Sequence, residues 1–499
     1  MGKPRLGIAA GNALGAEAAA QVACDGSNAV DACLAAAVMG WVAEPFFTSI
    51  GGSGFVTVRT PDGKVEVFDG NNAMPTTVPA QRGQGIKRVF MDYSDGMYTG
   101  IGAGAVGIPG ILAATYKAWE AHGKIEWSAI MQPAIDAARQ GLPFPKTSAY
   151  YLSVTWEPIW STYAESSAIF APEGRPLLEG EKFVQPELAE ALELIANKGP
   201  DAFYSGELAS DFAEVMAGDD GFIGVDDLRS YEAIVRSPLE VMSFGWKVES
   251  NPPPATGGAL LAHMLARLES ARLEDPAGRL SAFVDAQRAG MTHRDRLMGD
   301  PDTVVADADE SVSSIGTLGR SSPETTHASS ADSDGYVCAV TESSGYGAGV
   351  TVRGMLLNNV LGEEELNPLG VHALKPGSRC HSNMAPTIAT GPGRVVGLGS
   401  PGATRIVGAV TQCFLRLAVD NDDLATAVSA PRAHLDLREA GETLCFEPGL
   451  PGTEVTDVRF RPYDDIHMYF GAVQAASVAE DGTVDAAHDP RRSGKSALI

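Results

Sequence analysis

Positive charge is scarce in this chain: 37 lysines and arginines stand against 63 aspartates and glutamates, a net charge of −26 over 499 residues. A field of that sign repels phosphate backbones and anionic lipid headgroups, so nucleic acid is not an expected partner. Long apolar runs are lacking too. The longest, Leu34 to Ala43, falls well short of the roughly 20 residues that a membrane-spanning helix needs, and Asp31 and Glu44 flank it, so no membrane partner is expected. The sequence does not open on a basic stretch followed by an apolar segment and a small-residue cleavage site, which makes a cytoplasmic location the expectation. The six cysteines (Cys24, Cys33, Cys338, Cys380, Cys413 and Cys445) include no CxxC pair, so buried free thiols are a simpler reading than a disulfide framework. Neither HExxH nor HxH occurs, and His293 stands alone in Thr292-His293-Arg294-Asp295, so no metal and no other cofactor is expected.

What is present is a globular composition, 44% hydrophobic with 56 Gly and 31 Pro. Length alone suggests two or three core units. Ser27-Asn28-Ala29-Val30-Asp31-Ala32 predicts a capped helix whose Ala-rich run ends at Glu44-Pro45. The turn Ile50-Gly51-Gly52-Ser53-Gly54-Phe55 then feeds a hairpin, Val56–Val58 and Val65–Phe68, joined through Pro61-Asp62-Gly63. From about 109 to 300 the apolar spacing is helical, in Ile111–Ala121, Ile130–Ala138, Leu188–Ala196 and Leu260–Leu268. Residues 300–324 are rich in Ser and Asp and read as an exposed, mobile connector. Beyond it Tyr336–Val340, Val395–Gly399 and Ala475–Val478 read as strands and Ile406–Leu417 as a helix. Strands at both ends with helices between them predict one α+β sandwich built from both halves of the chain.

Gly102-Ala103-Gly104-Ala105-Val106-Gly107 matches GxGxxG, but a dinucleotide loop needs a strand before it and Met97-Tyr98-Thr99-Gly100 is a poor one, so a tight loop is the reading. Gly494-Lys495-Ser496 lacks the earlier glycine of a phosphate loop, Asp489 standing in its place, and Glu363-Glu364-Glu365 reads either as solvated surface or as an acid/base set. Thr325-Thr326-His327-Ala328-Ser329 is more informative. It follows the connector and precedes the turn Asp332-Ser333-Asp334-Gly335. A threonine freed there as a new amino terminus carries nucleophile and base in one residue, since an α-amino group has an ordinary pKa near 8.

Here the chain resembles the gamma-glutamyltranspeptidase family of N-terminal-nucleophile hydrolases, through motifs that occur in family order from end to end. They include Ser27–Ala32, Gly51–Phe55, Ile108-Pro109-Gly110, Gly199–Tyr204, Pro252-Pro253-Pro254, Gly299-Asp300-Pro301-Asp302, Thr325-Thr326-His327, Leu356–Asn359, Met384–Thr387, Gly399–Gly402, Ala430-Pro431-Arg432 and Asp489-Pro490-Arg491. The resemblance implies a four-layer αββα sandwich, self-cleavage between Glu324 and Thr325, and a large subunit (1–324) and small subunit (325–499) that stay together as one αββα unit. It implies Thr325 as nucleophile, Ser343 as a second hydroxyl beside it, and the backbone N–H groups of Gly402 and Ala403 as the oxyanion hole. A small-molecule or peptide amide is the implied substrate. The acyl pocket departs from the family pattern. Asn71 replaces the arginine that clamps a glutamyl α-carboxylate, Ser382 and Asn383 stand for a serine pair, and Gly345, Val360 and Glu363 stand for an asparagine, a glutamine and an aspartate that meet the α-amino group. The loop between Glu363 and Ser382 is also shorter than in members with a lid, which implies a more open pocket. An amide hydrolase or acyltransferase with a donor other than an ordinary γ-glutamyl group is therefore expected, the alternatives being an authentic γ-glutamyl enzyme and a binding homologue that never matures.

Overall fold

The computed structural model describes residues 3–24, 26–92, 96–271, 273, 275–299, 325–439, 441–450 and 455–499. The connector expected over 300–324, with Glu324 of the cleavage site, lies outside the described residues. Two antiparallel sheets form the middle of the molecule. The first has seven strands in the order Lys495–Leu498, Leu6–Ala10, Thr326–Asp332, Val337–Ser343, Ser53–Arg59, Val65–Gly70 and Ile234–Arg236. The second has six: Val484–Ala487, Gln474–Ala479, Arg394–Gly399, Thr387–Gly391, Trp246–Ser250 and Leu239–Ser243. Each contains strands from both sides of the connector, so both halves of the chain are needed to complete either sheet. Apolar side chains of the two sheets meet in one layer, with Val65, Ala331, Val337 and Ala339 from the first and Ile388, Val396's neighbour Val395, Ala476 and Val478 from the second.

Helices cover both outer faces, which gives the expected αββα order. On the first sheet lie Ala13–Val22, Ala29–Ala43 and Ile111–His122, with Trp127–Gln140 packed outside them against Ala29–Ala43. The helix Ala29–Ala43 starts in a capping box, in which the Asn28 side chain accepts from the Asp31 N–H and the Asp31 carboxylate accepts from the Asn28 N–H. Every residue of it is buried, and the small residues Ala32, Ala35, Ala36, Ala37 and Gly40 permit close approach to the sheet and to neighbouring helices. On the second sheet lie Thr256–Glu269 and Ile406–Ala418, with Pro276–Met298 packed outside against Thr256–Glu269.

Two local expectations change. Leu6–Ala10 is a strand between two others, and Met97–Ile101 pairs with Lys87–Met91 as a hairpin. A strand does therefore precede Gly102-Ala103-Gly104-Ala105-Val106-Gly107. The loop is still closed to a phosphate group: a Cβ on Gly104 would lie 1.8 Å from the Gln84 carbonyl oxygen, so chain already fills that approach.

Candidate active site

The antiparallel register of the central hairpin builds the site. Thr326 pairs with Glu342, which sets Thr325, immediately before the strand, across from Ser343 at the end of the neighbouring strand. Ser343 in turn pairs with Ser53. The Ser343 hydroxyl oxygen accepts from the Gly345 N–H at 3.1 Å. Thr325 is only 3% exposed, so it is a buried residue and not the exposed one the connector suggested.

Opposite the hairpin, the second sheet delivers the turn Ser400–Ala403 at the end of the strand Arg394–Gly399. Gly402 has φ +126° and Ala403 φ +47°, a left-handed conformation that costs a non-glycine residue roughly 1–2 kcal/mol. The turn is held in that shape from outside. The Ser400 hydroxyl donates to the Pro401 carbonyl at 2.7 Å and accepts from the Ala472 N–H at 3.0 Å, and the Arg405 N–H donates to the Gly402 carbonyl at 2.8 Å. Strain kept at one turn by surrounding contacts is characteristic of positions where backbone N–H direction matters.

A cavity of about 40 Å³ joins these parts. Its lining includes Thr325, Ser343 and Ala403 together with Asn71, Gly345, Val360, Glu363, Ser382 and Asn383. All the positions singled out from sequence as chemical or pocket residues thus converge, except that Gly402 lies beside Ala403 without lining the cavity itself. A larger groove of about 940 Å³ lies elsewhere, around Phe283, Cys413 and Arg432, but burial pushes the Cys413 thiol up to about 12, far from a reactive thiolate.

Several residues around the site escaped the sequence reading. Arg492 Nη1 donates to the Thr325 carbonyl at 2.8 Å, with its guanidinium 4.8 Å from the Phe47 ring centroid. Glu44 Oε1 lies 3.9 Å from Arg492 Nη1, while its Oε2 accepts from the Thr326 hydroxyl and the Asn12 amide, both at 2.7 Å. One buried carboxylate therefore holds residue 326 directly and residue 325 through a guanidinium. The available signals were the motifs Glu44-Pro45 and Asp489-Pro490-Arg491-Arg492, together with an acidic residue at the C-terminal end of the apolar run Leu34–Ala43. Behind this network Glu342 accepts from the Trp41 indole N–H at 2.8 Å, and burial, with Glu44 nearby, pushes its pKa well above the ordinary carboxyl value. His327, bonded to Thr341 and Ser329 at 2.8 Å each, is pushed by burial down to about 3 and is a neutral strut.

Arg294 and His381 were also missed, and the acidic run Glu363-Glu364-Glu365 divides: Glu363 and Glu365 are buried on the cavity, while Glu364 pairs with Arg88 at the surface. Arg294 reaches in from the helix Pro276–Met298, its Nε donating to Asn383 Oδ1 at 2.9 Å and its Nη2 to the Glu365 carbonyl at 3.1 Å. The Asn383 amide donates to Glu365 Oε1 at 3.1 Å. Asn71 has its amide on the Cys380 carbonyl at 2.5 Å and its Oδ1 on the Asn72 N–H at 3.0 Å. Gly345, at φ +60°, leaves no room for a side chain, because a Cβ would lie 2.4 Å from Glu363 Oε1 and 2.5 Å from Asn359 Oδ1.

The gamma-glutamyltranspeptidase family model matches residues 15–499. The glutathione hydrolase proenzyme of Escherichia coli strain K12 is 29% identical over 94% of this chain and 87% of its own. The acylase ACY 1 proenzyme of Pseudomonas sp. strain SE83 is 29% identical over 97% and 92%. The crystal structure of cephalosporin acylase from Bacillus halodurans superimposes with a TM-score of 0.81 over 99% of this chain and 96% of that one, at 22% identity, a likeness of fold.

Proposed function

Because the chain belongs to the gamma-glutamyltranspeptidase family, we propose that it cuts itself between Glu324 and Thr325 and then hydrolyses or transfers acyl groups through a Thr325 ester. The observation that carries this reading is the convergence of Thr325, Ser343 and the strained turn at Ala403 on one cavity. In maturation the Thr325 hydroxyl adds to the carbonyl of residue 324, the C–N bond breaks as its nitrogen takes a proton, and water cleaves the resulting ester. This leaves Thr325 with a free α-amino group.

In turnover that amine takes the hydroxyl proton while Oγ1 adds to the donor carbonyl, and the N–H groups of Gly402 and Ala403 receive the developing oxyanion. The proton then passes to the leaving amine, and water or an acceptor amine releases the acyl group and restores the hydroxyl. Ser343 donates toward Thr325 and orients it. The donor is a small amide or peptide whose acyl group is not an ordinary γ-glutamyl group, because Asn71 supplies no cation and its amide is engaged by Cys380.

Denaturing gels and mass spectrometry test this reading. Matured protein should show pieces of 324 and 175 residues, Thr325→Ala should stay whole, and an amide library should leave an acyl mass on the peptide that begins at Thr325. Active wild-type protein that remains one uncut chain would sink the proposal.

A further inference from the structure

We infer that the molecule carries a second ligand site, for a small zwitterion of dipeptide size, at the end of the sandwich away from Thr325. A cleft of about 280 Å³ opens there between the two sheets. Its walls come from the end of the strand Ser53–Arg59, the turn after Thr326–Asp332, the turn between Thr387–Gly391 and Arg394–Gly399, and the turn between Gln474–Ala479 and Val484–Ala487. Thr325 and the turn at Asp334 flank opposite ends of one strand. At about 3.4 Å per residue, that seven-residue strand alone separates the two places by roughly 20 Å. The cleft is built in the uncut chain, so it does not depend on the acyl-enzyme reading.

Its charges single it out. Among the described residues that line it, two are cations, Arg59 and Arg394, one from each sheet, and two are carboxylates, Asp334 and Glu480. Both guanidiniums are half-buried, and each spends only one nitrogen on the protein. Arg59 Nη1 donates to the Gly335 carbonyl at 3.0 Å and the Thr60 carbonyl at 3.3 Å, and Arg394 Nη2 donates to the Asp422 carbonyl at 3.1 Å. Neither makes an ion pair with a described carboxylate. Burial holds the Arg59 guanidinium below the ordinary arginine value, as expected of a cation short of counter-charge. Glu249, the buried carboxylate whose field reaches it, is already bonded to Lys247 Nζ at 3.0 Å. Asp334 and Glu480 are exposed, and their carboxylates accept from no described residue. Spare N–H donors thus lie on the wall and spare carboxylates on the rim. A lone carboxylate meets like charge at the rim, and a lone ammonium meets like charge at the wall. A ligand that carries both satisfies all four groups. The cleft also spans the proposed cut, with Arg59 before residue 324 and Arg394, Asp334 and Glu480 after it, so a bound ligand ties the two pieces together.

Four peptides separate the two charges: glycylglycine (both), glycylglycinamide (ammonium), N-acetylglycylglycine (carboxylate) and N-acetylglycylglycinamide (neither). Titration calorimetry uses full-length Thr325→Ala protein, which cannot turn them over. Glycylglycine should bind about tenfold or more tightly than either singly charged peptide, and the neutral peptide should give no measurable heat. Arg59→Gln and Arg394→Gln should each weaken glycylglycine by about tenfold to a hundredfold, the loss of one charge-assisted hydrogen bond. Arg59→Lys keeps a cation on the wall and should recover part of that affinity, which separates lost charge from lost fold. Asp334→Asn combined with Glu480→Gln should erase the preference for glycylglycine over N-acetylglycylglycine. Four results would each overturn the inference: equal affinity for charged and neutral peptides, tighter binding of N-acetylglycylglycine than of glycylglycine, affinity that ignores both arginines, or no heat from any peptide at millimolar concentration. None of them touches the acyl-enzyme.

Discussion

Replacing Arg492 by methionine removes the guanidinium that holds the Thr325 carbonyl and keeps a stem of similar length against Phe47. The lost bond is charge-assisted, and such bonds contribute about 1.5–3 kcal/mol. Since 1.36 kcal/mol is tenfold in rate, kcat should fall by about 10-fold to 150-fold if the bond serves only to fix the nucleophile. KM should change little, because Arg492 does not line the donor cavity. A second cost falls on stability. Glu44 is 2% exposed and retains Asn12 and Thr326 as donors but loses its cation, a loss of about 1–3 kcal/mol. Adding Glu44→Gln removes the stranded charge, so the double variant should regain Tm without regaining kcat, and Arg492→Lys should recover part of the rate. Steady-state kinetics on matured protein, with thermal melts on the Thr325→Ala background, measure the two effects separately. An unchanged kcat, a loss lying wholly in KM, or joint recovery of Tm and kcat in the double variant would refute a positioning role.

Ser343→Ala should lower kcat by about 10-fold to 1000-fold with little change in KM, since the hydroxyl acts on Thr325 and not on the acyl group; an unchanged kcat in matured protein removes Ser343 from the mechanism. His327, at about 3 when folded and near 6.5 when unfolded, contributes stability that is present above pH 6.5 and lost as pH falls toward 3, with a slope of up to about 1.4 kcal/mol per pH unit. His327→Asn should flatten the urea midpoint between pH 6.5 and 4 relative to its parent, both in Thr325→Ala precursor; Glu342, Asp31 and Asp332, whose raised values act in the opposite direction, cancel in that comparison. Asn71→Arg together with Gly345→Asn, the change that motif comparison suggests for restoring γ-glutamyl activity, should instead lower Tm, because a Cβ at 345 overlaps Glu363 and Asn359. A rise in γ-glutamyl-p-nitroanilide turnover with Tm maintained would show that the pocket can open.

Local signals served the sequence reading where one segment carries the whole cause. The Asn28 capping box, the alanine run behind it and the turn at Asp332–Gly335 each lie within a few residues, and the corresponding helix and hairpin form as expected. Leu6–Ala10 was missed because a strand of small and apolar residues, buried along its whole length, shows no alternation. Met97–Ile101 was misjudged because its pairing partner, Lys87–Met91, lies outside the motif that drew attention to it. His293, isolated in sequence, stacks on His263 of the adjacent helix at 4.8 Å between ring centroids, a neighbour that only the helix packing supplies.

The pocket was legible as a set of positions but not as a set of contacts, and the reason is that its substitutions are coupled. Read one at a time, Gly345 is a lost polar partner and Asn383 a weakened carboxylate ligand. In the fold, the missing side chain at 345 is the space that Glu363 and Asn359 occupy, and the amide at 383 is held between Arg294 and Glu365. Each apparent loss has a protein group set against it, so the pocket is reshaped and not eroded. The same contacts span the proposed cut. Arg294 lies before residue 324 and bonds Asn383 after it; Glu44 lies before it and holds Thr326 after it. A chain cut at Thr325 therefore keeps both its pocket and its nucleophile geometry only while the two pieces remain associated, which makes dissociation of the pieces equivalent to loss of the site.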